Sequence, residues 1–164
     1  MSATERSVHS LGAPDNFASR PIHVLVAFDG SSKDAAALRW ALHYAESVDA
    51  SVEVIHALGL RESSIFPSQV GGESDHDRAV RETEASLRRT IDADPVAVSI
   101  GVHMTVLSGD PRLILLRAIE SGRPALVVIG RRAASDTVAV LGSVSREIAN
   151  ASPVPVVVVP QAGP

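Results

Sequence analysis

Apolar positions along the chain fall into short runs separated by stretches of helical periodicity. The run Ala125–Ile129 shows no polar alternation, as a strand covered on both faces of a parallel sheet should read. Ile22–Phe28 is a second such strand, ended by Asp29-Gly30-Ser31-Ser32, small and polar residues that suit a tight turn and a helix N-cap. In segment 33–48, Ala37, Trp40, Ala41 and Tyr44 recur at helical spacing, with Asp34 in the first turn where the helix dipole favours a carboxylate. Trp40 and Tyr44, one turn apart, read as part of a core stripe rather than a stacking platform. Val52, Val54 and Ile55 mark a further short strand ending near Ala57.

Residues Arg61–Gly72 contain Pro67, Gly71-Gly72 and several serines, which predicts a loop long enough to act as a lid. Glu73–Ala93 follows as a charged helix with Ala79, Val80, Thr83, Leu87 and Ile91 on one stripe. After Pro95, Val96–Leu107 reads as a third strand, and Ser108-Gly109-Asp110-Pro111 turns into a helix over Arg112–Glu120 with proline in its first turn. Gly122-Arg123-Pro124 breaks that helix before strand Ala125–Ile129, which stops at Gly130. Arg131 and Arg132 then open a polar connection, and Gly142-Ser143 starts a helix patterned by Val144, Ile148 and Ala149. The unpaired amides of that helix start could hold an anion, a phosphate above all. The last strand, Val154–Val159, is bracketed by Pro153, Pro155 and Pro160, which places it at a sheet edge. Met1–Arg20 lacks apolar periodicity and reads as a mobile tail, leaving 21–164 as the domain.

Strands alternating with helices predict a parallel sheet covered on both faces. In such sheets a ligand sits beyond the carboxyl ends of the strands, where the strand order reverses. Asp29, Ala57 and Gly130 all stand at strand carboxyl ends. Each candidate has a plainer role open to it. Asp29 could form an Asx-turn or N-cap, Gly142-Ser143 could be an ordinary helix start, and Arg131-Arg132 could be solvated or paired with Asp136.

Composition narrows the chemistry. A chain of 164 residues with 45% hydrophobic content has enough apolar side chains for one sizeable core. The absence of cysteine excludes disulfides, thiolate metal sites and cysteine nucleophiles, and fits a cytoplasmic setting. A net charge of −4 with scattered basic residues argues against nucleic-acid binding, and no apolar window is long enough to cross a membrane. Lys33 is the sole lysine and no G-x-x-x-x-G-K-[ST] occurs, so a P-loop NTPase is excluded. The histidines at 9, 23, 43, 56, 76 and 103 have no metal-ligand spacing. Neither Ser31 nor Ser143 has an activating base nearby in sequence or a nucleophile elbow around it, so no catalytic residue is expected.

The stretches VLVAFDGSSKDAAALRWALHYA, SGDPRLILLRAI, VVIG and GSVSREIANASPVPVVVVP resemble the universal stress protein family over about Pro21–Pro160. The resemblance implies a flavodoxin-like, Rossmann-like open sheet of five parallel strands in the order 3-2-1-4-5, with helices on both faces. It also implies a stress-response regulator rather than an enzyme, commonly a homodimer through the final strand, here Val154–Val159. Some members bind ATP, which Mg²⁺ could accompany, through a loop of pattern G-x2-G-x9-G-[ST]. Gly130, Gly142 and Ser143 match that pattern, whereas Ala133 stands at the second glycine and Ala134–Leu141 supply eight residues where nine are the rule. Where that glycine needs a positive φ, an alanine costs about 1–2 kcal/mol.

By the same resemblance Asp29 would accept hydrogen bonds from adenine or ribose. Ala27 and Ala57 would line the base pocket, and Phe28 and Val144 would stand beside the ligand. Arg131 and Arg132 could replace lost amide contacts by direct, charge-assisted bonds to phosphate. Two readings follow: a nucleotide-binding regulator without fast chemistry, and a nucleotide-free dimeric interaction module with an altered loop. Slow ATP hydrolysis is a weaker third, with Asp136 the one carboxylate near the phosphate end.

Overall fold

Consecutive buried residues on three neighbouring strands dictate a sheet with two buried faces. The structure, a computed structural model, describes residues 8–11, 22–30, 35–59, 75–131, 133–135, 138–139 and 141–160. Strands β1 (Val8–Leu11), β2 (Ile22–Ala27), β3 (Ala50–Leu58), β4 (Val102–Ser108), β5 (Leu126–Arg131) and β8 (Val156–Pro160) form one sheet in the order β1-β4-β3-β2-β5-β8. A second, two-stranded sheet pairs β6 (Ala133–Ser135) with β7 (Val138–Ala139). The helices are α1 (Ala35–Ser47), α2 (Asp75–Asp92), α3 (Pro95–Ile100), α4 (Pro111–Gly122) and α5 (Ser143–Ala151).

The five strands β4-β3-β2-β5-β8 run parallel to one another, which is the 3-2-1-4-5 order of a flavodoxin-like sheet. On β2, Val24 and Val26 point to one face and Leu25 to the other; on β5, Leu126 and Val128 oppose Val127 and Ile129. One face is packed by Ala37, Leu38, Ala41 and Leu42 of α1, Leu87 and Ile91 of α2 and Val96, Ala97 and Ile100 of α3. The other receives Leu115 and Ile119 of α4 and Ile148 of α5. The edge position expected for the final strand is observed: among the described residues β8 pairs with β5 alone.

Four local expectations are revised. Val96–Ile100 is helical, not the start of a strand, and β4 begins at Val102. The β-branched run suggested extended chain, but Asp94 accepts the Val96 N–H at 3.0 Å as an N-cap, Pro95 occupies the first turn, and Gly101 closes the helix at φ 72°. Trp40 leaves the core stripe: it is 38% exposed and stacks on Tyr44 with ring centroids 5.2 Å apart, while the small Ala37, Ala41 and Ala45 face the sheet. Close packing of α1 on the sheet favours alanines over an indole. Val8–Leu11, within the aperiodic first 20 residues, pairs antiparallel with β4, Val8 opposite Thr105 and Leu11 opposite Val102. The polar connection after Gly130 contains the β6–β7 hairpin rather than irregular chain alone. Asp34, Ser31, Ser32 and the lid segment 61–72 lie outside the described residues.

Replacing Asp94 by alanine should lower stability by about 0.5–2 kcal/mol, the usual loss for an N-cap. Urea unfolding of the two proteins checks this; an unchanged midpoint would show that α3 does not depend on its cap.

Candidate functional site

Parallel strands bring their carboxyl ends to one side of the sheet, and on that side the helix starts and strand ends enclose a cavity of about 610 Å³. It is lined by Ala27 at the end of β2 with Phe28 and Asp29 after it, by Ile55, His56 and Ala57 on β3, and by Ile129 and Gly130 on β5. The corner Gly109-Asp110-Pro111 that opens α4 and Gly142 to Ser145 at the start of α5 also line it. Eight residues anticipated from the sequence thus meet in one cavity: Ala27, Phe28, Asp29, Ala57, Gly130, Gly142, Ser143 and Val144. Arg131 does not line it; the residue ends β5 opposite Pro160. Arg132 and Asp136 lie outside the described residues.

Three polar side chains of the cavity, those of His56, Ser145 and Asp110, escaped sequence reasoning. His56 is buried, and its Nδ1 lies 2.9 Å from the Phe28 carbonyl. A carbonyl only accepts, so Nδ1 carries the proton and donates. Together with the Phe28 N–H donated to Ile55 O at 3.0 Å, this bond ties the end of β2 to β3 and sets the corner from which Asp29 emerges. Ser145 donates its hydroxyl to Gly130 O at 3.3 Å, fixing the start of α5 against the end of β5. Gly142 is the N-cap of α5 and has no side chain to satisfy the helix's first amides, leaving them to the cavity side. Neither the 28-residue nor the 15-residue separation of these bonds is visible as a motif.

Asp110 is the third. It caps α4, accepting the Arg112 N–H at 2.9 Å, and its carboxylate also binds the Arg112 guanidinium at 3.1 and 2.8 Å. Arg112 reaches on to Glu147 of α5 at 3.4 Å, so one guanidinium joins the two helix starts that wall the cavity. The side-chain bonds from Arg112, then its backbone N–H, hold the Asp110 carboxyl below the usual value of 3.8; the same pairing raises the Arg112 pKa. Away from the cavity, Glu53 on β3 binds His23 of β2 at 3.0 Å and stands 3.9 Å from His103 of β4. Among the described residues, no group of three or more His, Asp or Glu side chains is disposed to hold a metal ion.

The sequence matches the Universal stress protein family over residues 22–160. The chain belongs to the universal stress protein family. A search of curated proteins gives no match. Among solved structures, universal stress protein UspA from Lactobacillus plantarum is 19% identical, with a TM-score of 0.60 over 86% of this chain and 99% of that one. The universal stress protein from Archaeoglobus fulgidus in complex with dAMP is 18% identical, with a TM-score of 0.58 over 84% and 96%. A family protein from Arabidopsis thaliana with AMP bound is 18% identical, with a TM-score of 0.56 over 87% and 94%. These likenesses carry the fold.

Because the folded-state pKa of Asp110 lies below 3.8, the unfolded chain takes up this proton first on acidification. The carboxylate's contribution to stability is therefore complete at neutral pH and is withdrawn as the pH falls through and below that value. Asparagine keeps the cap but cannot titrate. The denaturation midpoint of Asp110→Asn should fall less steeply than that of the unmodified protein between about pH 5 and 3. Parallel curves would show that the Asp110–Arg112 pair does not persist in solution.

Proposed function

We propose that this universal stress protein is a stress-response regulator acting in the cytoplasm. It binds an adenine nucleotide, ATP among the candidates, and performs no fast chemistry. The observation that carries this reading is the meeting of three strand ends and the amide-bearing start of α5 around one cavity, whose size suits a small-molecule ligand. The base would lie by Asp29 and Ala57 and the phosphates between Gly130 and Ser143. In this reading the start of α5 supplies the anion contacts, and Mg²⁺ would enter only as the companion of a polyphosphate. Relatives of this fold with dAMP and AMP bound support the ligand class.

Isothermal titration with ATP, AMP and adenosine tests it. Binding of at least one phosphate-bearing ligand, weakened at least about tenfold when Ala57→Trp fills the base side, is the expected result. Silence with every nucleotide at millimolar concentration would refute the site.

A second reading, the nucleotide-free dimeric module, is favoured by one observation. The backbone of residues 133–139, which a full glycine loop would offer to phosphate, is partly engaged in the β6–β7 hairpin, Ala133 opposite Ala139. Both readings share the expectation of a homodimer through the final strand, because β8 is an edge strand with an exposed Val158. Val157 packs on the core, so Val158 is the cleaner probe. In analytical ultracentrifugation Val158→Lys should move the protein toward monomer. A monomeric unmodified protein would reject the dimer.

A further inference from the structure

The cavity is electrostatically lopsided. Among the described residues that line it, the ionisable side chains are Asp29, His56 and Asp110, and no lysine or arginine is present. Arg112, next to the lining residue Asp110, is held by that carboxylate through two side-chain bonds and also contacts Glu147 at 3.4 Å. The trio of Asp110, Arg112 and Glu147, which bridges the starts of α4 and α5, therefore carries one net negative charge, and of the three Asp110 lines the cavity. Its position is built in: Gly109, at φ 148°, donates its N–H to Leu58 O at 3.0 Å, fastening the corner to the end of β3. Asp110 is locked as N-cap by the Arg112 amide and does not swing away from the wall.

We infer that Asp110 is a specificity-determining residue that ranks ligands of this cavity by phosphate charge, favouring a cyclic monophosphate or AMP over ATP. The inference rests on the nucleotide reading above. The amides at the start of α5 offer a phosphate partial positive charge that suffices for one anionic group. Each further phosphoryl group adds negative charge to a cavity that already carries the Asp110 carboxylate at its α4 corner, and no described lining side chain compensates it. Arg112 tunes this device because it cancels part of the Asp110 field without turning its own charge to the ligand.

The test is a titration of the full chain with cyclic AMP, AMP and ATP in the presence of EDTA, at low and high salt. In the unmodified protein ATP should bind more weakly than cyclic AMP, and added salt should narrow the gap because it screens repulsion. Asp110→Asn retains the cap and frees Arg112; it should raise ATP affinity relative to cyclic AMP by about three- to fivefold, the range of one partly exposed charge pair. Arg112→Gln leaves the Asp110 charge uncancelled and should move the ratio the other way. A purely structural role would lower all three affinities together in both variants, and that outcome overturns the inference. ATP binding most tightly without divalent cation would also overturn it while leaving the nucleotide site intact. No binding of any nucleotide would remove the site itself and this inference with it.

Discussion

The parallel pairing of β2 with β3 on one side and β5 on the other is the constraint on which the rest depends. Ile22–Ala27 runs alongside Ala50–Ile55, and Val24–Ala27 alongside Leu126–Ile129. The chain therefore leaves the centre in one direction for β3 and β4, and returns past it for β5 and β8. Right-handed crossovers then put α1, α2 and α3 on one face and α4 and α5 on the other. The helices diverge at β2 and β5, and the cavity is the gap between them. The buried valines and leucines of the central strands, nearly all without solvent exposure, hold that geometry in place.

Much of this was legible because parallel strands are apolar on both faces and the connecting helices are not. The strands at 22–28 and 125–129 and the edge at 154–159 show as apolar runs; the helix over 75–92 shows as a stripe ending in the buried Leu87 and Ile91. Failures arose where local preference and tertiary demand diverge. Val96, Val98 and Ile100 favour extended chain by β-branching, yet the cap, the proline and the glycine around them prevail. β1 has no periodicity to read because its order comes from the unpaired side of β4, almost a hundred residues away in sequence.

The site divides in the same way. Glycines at strand ends and a hydroxyl at a helix start are local signals, and Gly130, Gly142 and Ser143 duly meet in space. His56, Asp110 and Ser145 act through partners that only folding brings close: the Phe28 carbonyl, the Glu147 carboxylate by way of Arg112, and the Gly130 carbonyl. His56 and Ser145 brace backbone around the cavity, and such bracing carries no composition signal. Asp110 did carry one, since a carboxylate before proline at a helix start reads as a cap; its place on the cavity wall did not follow from that.

The bond from Ser145 to Gly130 has an evolutionary consequence. By joining the strand end to the helix start, and with Arg146 reaching back to Leu141 O at 3.3 Å, it makes residues 131–141 an excursion whose two ends meet independently of what lies between them. Loop closure grows only slowly more costly with length, by about 0.6 kcal/mol per doubling. Deleting one residue from such an excursion, or exchanging a glycine for Ala133 inside it, leaves the sheet and the helix where they were. Sequence change within this excursion is therefore tolerated at almost no cost to the fold that carries it.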